Sequence, residues 1–187
     1  MSFNTTETFN FGDVSSAIAS SPDVSSLLNV ARHRCSPYLP PGKAVELIDA
    51  YLVSFTAPFA VHAFSFDLII HSATRDGDAN SGECLDAQSW NFGNALLMVG
   101  TEDGESLKRR MPWLTVTRNT YPIEYLPNGF RMTIPYIKPN QPVDFHFVLA
   151  YNRLESENDS EWFAADVPHC DIAAFPVVKR LAGNPAV

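Results

Sequence analysis

The sequence predicts an all-β fold: an antiparallel two-sheet β-sandwich of the jelly-roll or Greek-key type. Three observations predict it. From Lys43 to Asp166 side chains alternate apolar and polar with a period of two. Segments rich in β-branched and aromatic residues recur between Pro, Gly and Asn punctuation. Helical stretches do not alternate with them, which argues against parallel α/β architectures and leaves an immunoglobulin-like sandwich as the second choice. The chain has 187 residues, 45% of them hydrophobic and 12% aromatic, enough for one substantial core. The expected organisation is an extended arm at 1–20 and a single sandwich domain at 21–187.

Each element has its own signal. Residues 1–20 are rich in Ser, Thr and Asn, with Phe3, Phe9 and Phe11 spaced through them. They read as an arm that docks on this domain or on a neighbouring copy, because three aromatic rings in a polar segment favour burial. A helix is expected at 22–34. Ser21 can cap it, Pro22 suits its first position, and Val24, Leu27, Leu28 and Ala31 form one apolar stripe. Arg32, His33 and Arg34 would then occupy the last turn, and Pro37 would stop it.

Eight strands follow, at 44–56, 59–72, 92–101, 112–118, 121–126, 129–137, 143–152 and 161–166. Pro127-Asn128-Gly129 supplies a tight reversal. Past it, Phe130, Met132, Ile134 and Tyr136 face one way and Arg131 and Thr133 the other. Val143, Phe145, Phe147, Leu149 and Tyr151 form another face, with Asp144 and His146 opposite. One dry and one wet face is the antiparallel pattern. The longest insertion, 73–91, is the segment where function is expected.

Composition narrows the function classes. Asp and Glu number 21 against 13 Lys and Arg, a formal charge of -8 that disfavours nucleic acid as a partner. The basic run Lys108-Arg109-Arg110 is short enough to be a solvated turn. The first residues do not read as a signal peptide, and no apolar run approaches the roughly 18 residues of a membrane span. Three cysteines, Cys35, Cys84 and Cys170, form an odd set, as expected in a reducing, cytoplasmic setting.

Four weak chemical signals remain. Asp76, Asp78, Asn80 and Glu83 space oxygen ligands as a calcium loop does. The helix-loop-helix calcium pattern fails, however, at Ser81, where Gly belongs, and at Ala87, where Glu belongs, so no cofactor is expected and a polar turn is the simpler reading. His62, on one face with Phe64, Phe66 and Leu68, could anchor a ligand pocket inside the sandwich and act as acid or base. A satisfied core histidine is the plainer account.

His71 with Asp67 and His146 with Asp144 could form a metal cluster only if their strands were neighbours, and metal-free Asp–His pairing is simpler. His169-Cys170-Asp171 offers a thiol, but adjacent residues in an extended chain point apart. Cys170 would need a distant base such as His33, or Cys35 would need His169. Nucleotide-loop, serine-hydrolase and zinc-ribbon motifs are missing. Trp90, Phe92, Trp113 and Trp162 suit core positions better than sugar platforms.

The expected function is a non-enzymatic structural or interaction module that self-associates into a homo-oligomer, in one version capsid- or shell-like. The alternative is a small-molecule-binding sandwich or enzyme anchored by His62, with His146 and Cys170 as further catalytic candidates.

Overall fold

The computed structural model describes residues 4–36, 38–71, 79–81, 85–92, 95–115, 121–153, 160–167, 169–172 and 174–182. Among them run β1 (Asn4–Phe11), β2 (Val14–Ser20), β3 (Asn29–Arg34), β4 (Leu47–Thr56), β5 (Val61–Ile70), β6 (Ala79–Ser81), β7 (Leu85–Asn91) and β8 (Ala95–Glu102). Helix α1 (Gly104–Arg110), β9 (Ile123–Leu126), β10 (Gly129–Ile137), β11 (Pro142–Arg153), helices α2 (Ser160–Ala165) and α3 (His169–Ile172), and β12 (Val177–Ala182) complete the order.

The strands form two antiparallel sheets packed as a sandwich. One has the order β1-β2-β5-β10-β9 and the other β12-β3-β4-β11-β8-β7-β6. The chain passes between sheets from β4 to β5 and again from β10 to β11, while β4 pairs with β11 and β5 with β10. A two-stranded ribbon therefore folds over from one sheet to the other, the winding that a jelly roll requires. Gly129 lets the ribbon close: its φ is +141°, and a Cβ there would collide with the Leu68 carbonyl oxygen.

Between the sheets lies an aromatic core. Tyr51 stacks on Phe147 at 4.8 Å, Phe66 meets Phe145 edge-on at 5.2 Å, and Phe130 meets Phe147 at 5.3 Å. All five rings, with Phe64 and Trp90, are fully buried or nearly so. Each such side chain contributes roughly 1.5–3 kcal/mol when taken out of water.

A second apolar layer covers the outer face of the seven-stranded sheet, where Ile48, Ala50, Met98, Val148 and Ala150 pack with Ala164, Ala165, Val167 and Ile172. The wet face expected on β11 is thus dry at its centre, since His146 and both small residues beyond it are buried. The expected strand at 161–166 is α2, lying so close to β8 that a Cβ at Gly100 would meet the Ala165 carbonyl at 2.8 Å.

Two N-terminal expectations are corrected. Residues 4–20 are no arm: β1 and β2 form a hairpin, turning at Gly12 with φ +59°, and β2 pairs with β5. Phe9, Phe11, Val14 and Ile18 go into the main core. The helix expected at 22–34 is a single 3-10 turn, Pro22–Val24, followed by β3. Charge explains the difference. Arg32 Nε and Arg34 Nε donate to the two oxygens of buried Asp49, at 2.7 and 3.0 Å. Residues two apart share a face on a strand but not on a helix.

The segment 112–118 is also no strand where it is described, because Leu114 N closes a turn on Met111 O at 2.8 Å. Its residues 116–118 lie outside the described residues. Lys108, Arg109 and Arg110 form the last turn of α1, which Asp103 caps by accepting from Ser106 N at 2.6 Å. Within the expected insertion, β6 and β7 extend the seven-stranded sheet.

Candidate functional site

The alternation of β5 and β10 breaks at one place, and a surface site results. Ala63 has φ 54°, the left-handed region, and faces the stretch around Pro135, which has no N–H for the ladder. On the far side of this break Val61 and Ile137 are buried, while His62 and Tyr136 point outward with ring centroids 5.0 Å apart. His62 therefore does not share the inner face with Phe64 and Phe66, as the regular alternation predicts. Those two phenylalanines pack against other rings in the closed interior.

Beside Tyr136 opens a groove of about 690 Å³, within the size range of small-ligand sites. Trp113, Tyr121, Tyr136 and two prolines, Pro122 and Pro135, give it apolar walls, and Lys138 adds one cation. Tyr121 is oriented by its hydroxyl, whose one proton is shared between Asp86 Oδ2 at 3.1 Å and the Glu102 carbonyl at 2.9 Å. Burial, then the Asp86 charge, push its phenol above the ordinary range, so it remains a donor. On the opposite rim Gln141 Oε1 accepts from Lys138 N at 2.8 Å, fixing the β10–β11 turn.

A second constellation is chemically richer but closed. Arg110 donates through Nε to Glu102 Oε1 at 2.9 Å and through Nη2 to Oε2, and its Nη1 lies 3.0 Å from Asp144 Oδ2. His146 donates its backbone N–H to Glu102 Oε2 at 2.9 Å, with its ring Nδ1 3.3 Å from the same oxygen. Its Nε2 lies 3.2 Å from the Val167 carbonyl.

Burial works against the Glu102 carboxylate. The hydrogen bond and charge of His146, then the charge of Arg110, outweigh it and hold the group below the ordinary range. With Glu102 and His146 both buried, this pair ties α1 and the segment after α2 to the sheet. Asp144 pairs with Arg110, and His146 with Glu102.

The remaining candidates do not converge. β5 and β11 belong to different sheets, so His71 and Asp67 cannot join His146 and Asp144. Asp67 instead accepts two hydrogen bonds from Arg131, at 2.9 and 2.6 Å, and His71 stands exposed past the end of β5. Among the described residues no three His, Cys, Asp or Glu side chains are grouped to hold a metal ion.

Asp76, Asp78 and Glu83 lie outside the described residues, and Asn80 sits on β6 opposite Ala87. Cys170 falls on α3, its side chain outside the described set, as is Cys84. The Cys35 thiol is buried, which, with the nearby Asp49 charge, pushes it up to about 12, unsuited to a thiolate nucleophile. His33 makes a 3.1 Å contact from Nδ1 to the Phe175 carbonyl.

Trp90 is core, as expected, and Phe92, Trp113 and Trp162 are partly buried against one or other apolar layer. No helix among the described residues is long and apolar enough to cross a membrane. No known family model, curated protein or solved structure matches the chain.

Sequence reasoning passed over the groove. Its signal was Pro135, a proline inside an otherwise regular strand, which marks an edge, a bulge or a break in alternation.

Proposed function

We propose that this chain is a non-enzymatic structural and interaction module that self-associates into a homo-oligomer, of the kind that builds a capsid-like or shell-like assembly. One observation carries the reading. β12 is the outer strand of the seven-stranded sheet, and its adjacent Val177 and Val178 are 48% and 46% exposed. An edge strand presents unpaired N–H and C=O groups, and charged residues usually guard it against pairing. Here the basic residues are engaged within the chain: Lys179 Nζ bonds Glu7 Oε1 at 2.6 Å and Arg180 Nη1 bonds Asn29 Oδ1 at 2.8 Å. Two β12 edges can therefore meet about a two-fold axis and cover the valines, each worth roughly 1 kcal/mol.

The buried Cys35 thiol fits a reducing, cytoplasmic setting, and the net charge of -8 disfavours nucleic acid as the partner. Sedimentation velocity over a concentration series tests the proposal: the full chain is expected to self-associate as concentration rises, and Val178→Lys to lose the β12 contact. A full chain that stays monomeric throughout refutes the reading.

The groove favours a second reading, a small-molecule binder with His62 at its rim through Tyr136. An NMR titration following the His62 ring with a set of aromatic and sugar ligands tests it, and a ring insensitive to all of them removes it.

A further inference from the structure

We propose that the groove beside Tyr136 receives the segment Tyr38-Leu39-Pro40-Pro41 of a second copy, making a head-to-tail contact. This rests on the self-association reading and adds to it an interface distinct from the β12 edge.

The segment is built to be presented. Tyr38 is 86% exposed, far more than any other large apolar side chain among the described residues. Behind it the chain is rigid: Lys43 N donates to Pro40 O at 3.0 Å, closing a turn in which Pro41 and Gly42, φ +82°, occupy the positions where a type II turn favours proline and requires positive φ. Residues that precede proline are kept out of the helical region and lean towards polyproline II. Leu39 packs on the outer apolar layer and anchors the stretch. Little conformational entropy is then left to lose on docking.

The groove is the complementary shape. Extended proline-rich segments dock between aromatic rings, and Trp113, Tyr121 and Tyr136 line this cleft. Tyr121 is already oriented by the hydrogen bond of its hydroxyl. Lys138 adds a cation at the groove, and exposed Glu46, which accepts from Arg153 N at 3.4 Å, follows five residues beyond the segment.

Geometry makes the contact intermolecular. The segment leads into β4 at Leu47, whereas the groove's Lys138 and Gln141 precede Pro142, which pairs with Thr56 at the other end of the same strand. Ten residues of β4 separate the two, ~30 Å at about 3.3 Å per residue. A chain cannot fill its own groove. Contacts between unlike surfaces repeat into rings or open arrays, and together with a two-fold β12 contact they extend in more than one direction, as a shell requires.

Sedimentation velocity of the full chain with Tyr38→Ser, Tyr136→Ser and an equimolar mixture of the two tests the contact. Both residues are exposed, so both variants keep the core. Each variant alone is expected to lose all species larger than the β12 dimer. The mixture, holding one intact segment and one intact groove, is expected to regain a single head-to-tail contact. Binding of the synthetic peptide Ser-Pro-Tyr-Leu-Pro-Pro-Gly, followed by tryptophan fluorescence, should weaken about tenfold in Tyr136→Ser.

If both variants assemble like the unaltered chain, or the peptide fails to bind, the groove contact is overturned. Loss of dimer in Val178→Lys would then still leave the broader self-association reading standing. An unaltered chain that is monomeric and binds no peptide overturns both.

Discussion

The two sheets obey the same alternation rule and bury different amounts of what it generates. On β10, in the five-stranded sheet, Phe130, Met132 and Ile134 are buried while Thr133 and Pro135 are exposed, so one face is dry and the other wet. On β11, in the seven-stranded sheet, Val143, Phe145, Phe147 and Leu149 face the main core, and His146, Val148 and Ala150 on the other side are buried as well. Alternating sequence thus identifies the inner face in both sheets. It does not reveal whether the outer face is covered, because that depends on α2 and the segment after it, which come from later in the chain. Polar residues in the outer row, such as His146, belong there only because Glu102 and Arg110 meet them.

The largest expected effect lies in the layer the sheets share. Phe147 touches Tyr51, Phe66 and Phe130, and Phe147→Ala should cost roughly 3–5 kcal/mol, because its neighbours cannot close the space left behind. On the wet face of β10, Thr133→Ala should change stability by less than about 0.5 kcal/mol. Urea unfolding of both variants measures the contrast. A small loss at Phe147 would mean that the interior is not packed as described.

The covered outer face of β11 gives the next effect. Arg110→Met leaves Glu102 buried with one cationic partner fewer, and should cost about 3 kcal/mol at neutral pH. The same site sets an acid dependence with a definite sign. The folded Glu102 carboxyl lies below its ordinary value of 4.5, so its stabilisation is complete above that pH and is lost as pH falls through the depressed folded value. Glu102→Gln should flatten the acid limb of stability against pH. An acid limb unchanged in Glu102→Gln would show that other carboxylates set it.

How far these regions were legible in the sequence follows from the range of the forces involved. The bounds of the 129–137 strand read directly from a local turn, but its two-residue rhythm holds only as far as Ile134: Tyr136, expected on the face of Phe130, points outward. The β1–β2 hairpin was legible too: Gly12-Asp13 is a two-residue loop flanked by Phe9 and Phe11 on one side and Val14 and Ile18 on the other, but a polar composition conceals it. The helix expected at 22–34 fails for a non-local reason, since a stripe at Val24, Leu28 and Ala31 fits a helix until Asp49 arrives to gather Arg32 and Arg34. His62 stands on the outer face beside Tyr136, opposite to the inward face expected of it. The inversion comes from one backbone angle at Ala63, which side-chain rhythm cannot report.

That angle supplies the smallest and sharpest test of the contrast between the regular and broken halves of the β5–β10 pair. An alanine at φ 54° carries a steric cost of roughly 1–2 kcal/mol that glycine avoids, offset in part by glycine's greater freedom in the unfolded chain. Ala63→Gly should therefore stabilise the fold by about 0.5 kcal/mol and leave His62 against Tyr136. Ala63→Val adds a β-branched side chain where the left-handed region tolerates it least, so it should destabilise by more than about 1 kcal/mol. It should also pull the strand back towards regular alternation, carrying His62 inward. Urea midpoints give the energies, and NMR contacts between the His62 and Tyr136 rings report the face. If Ala63→Val is tolerated with those contacts intact, the break in alternation is held by Pro135 on β10 alone, and the groove's position depends on that strand instead of the pair.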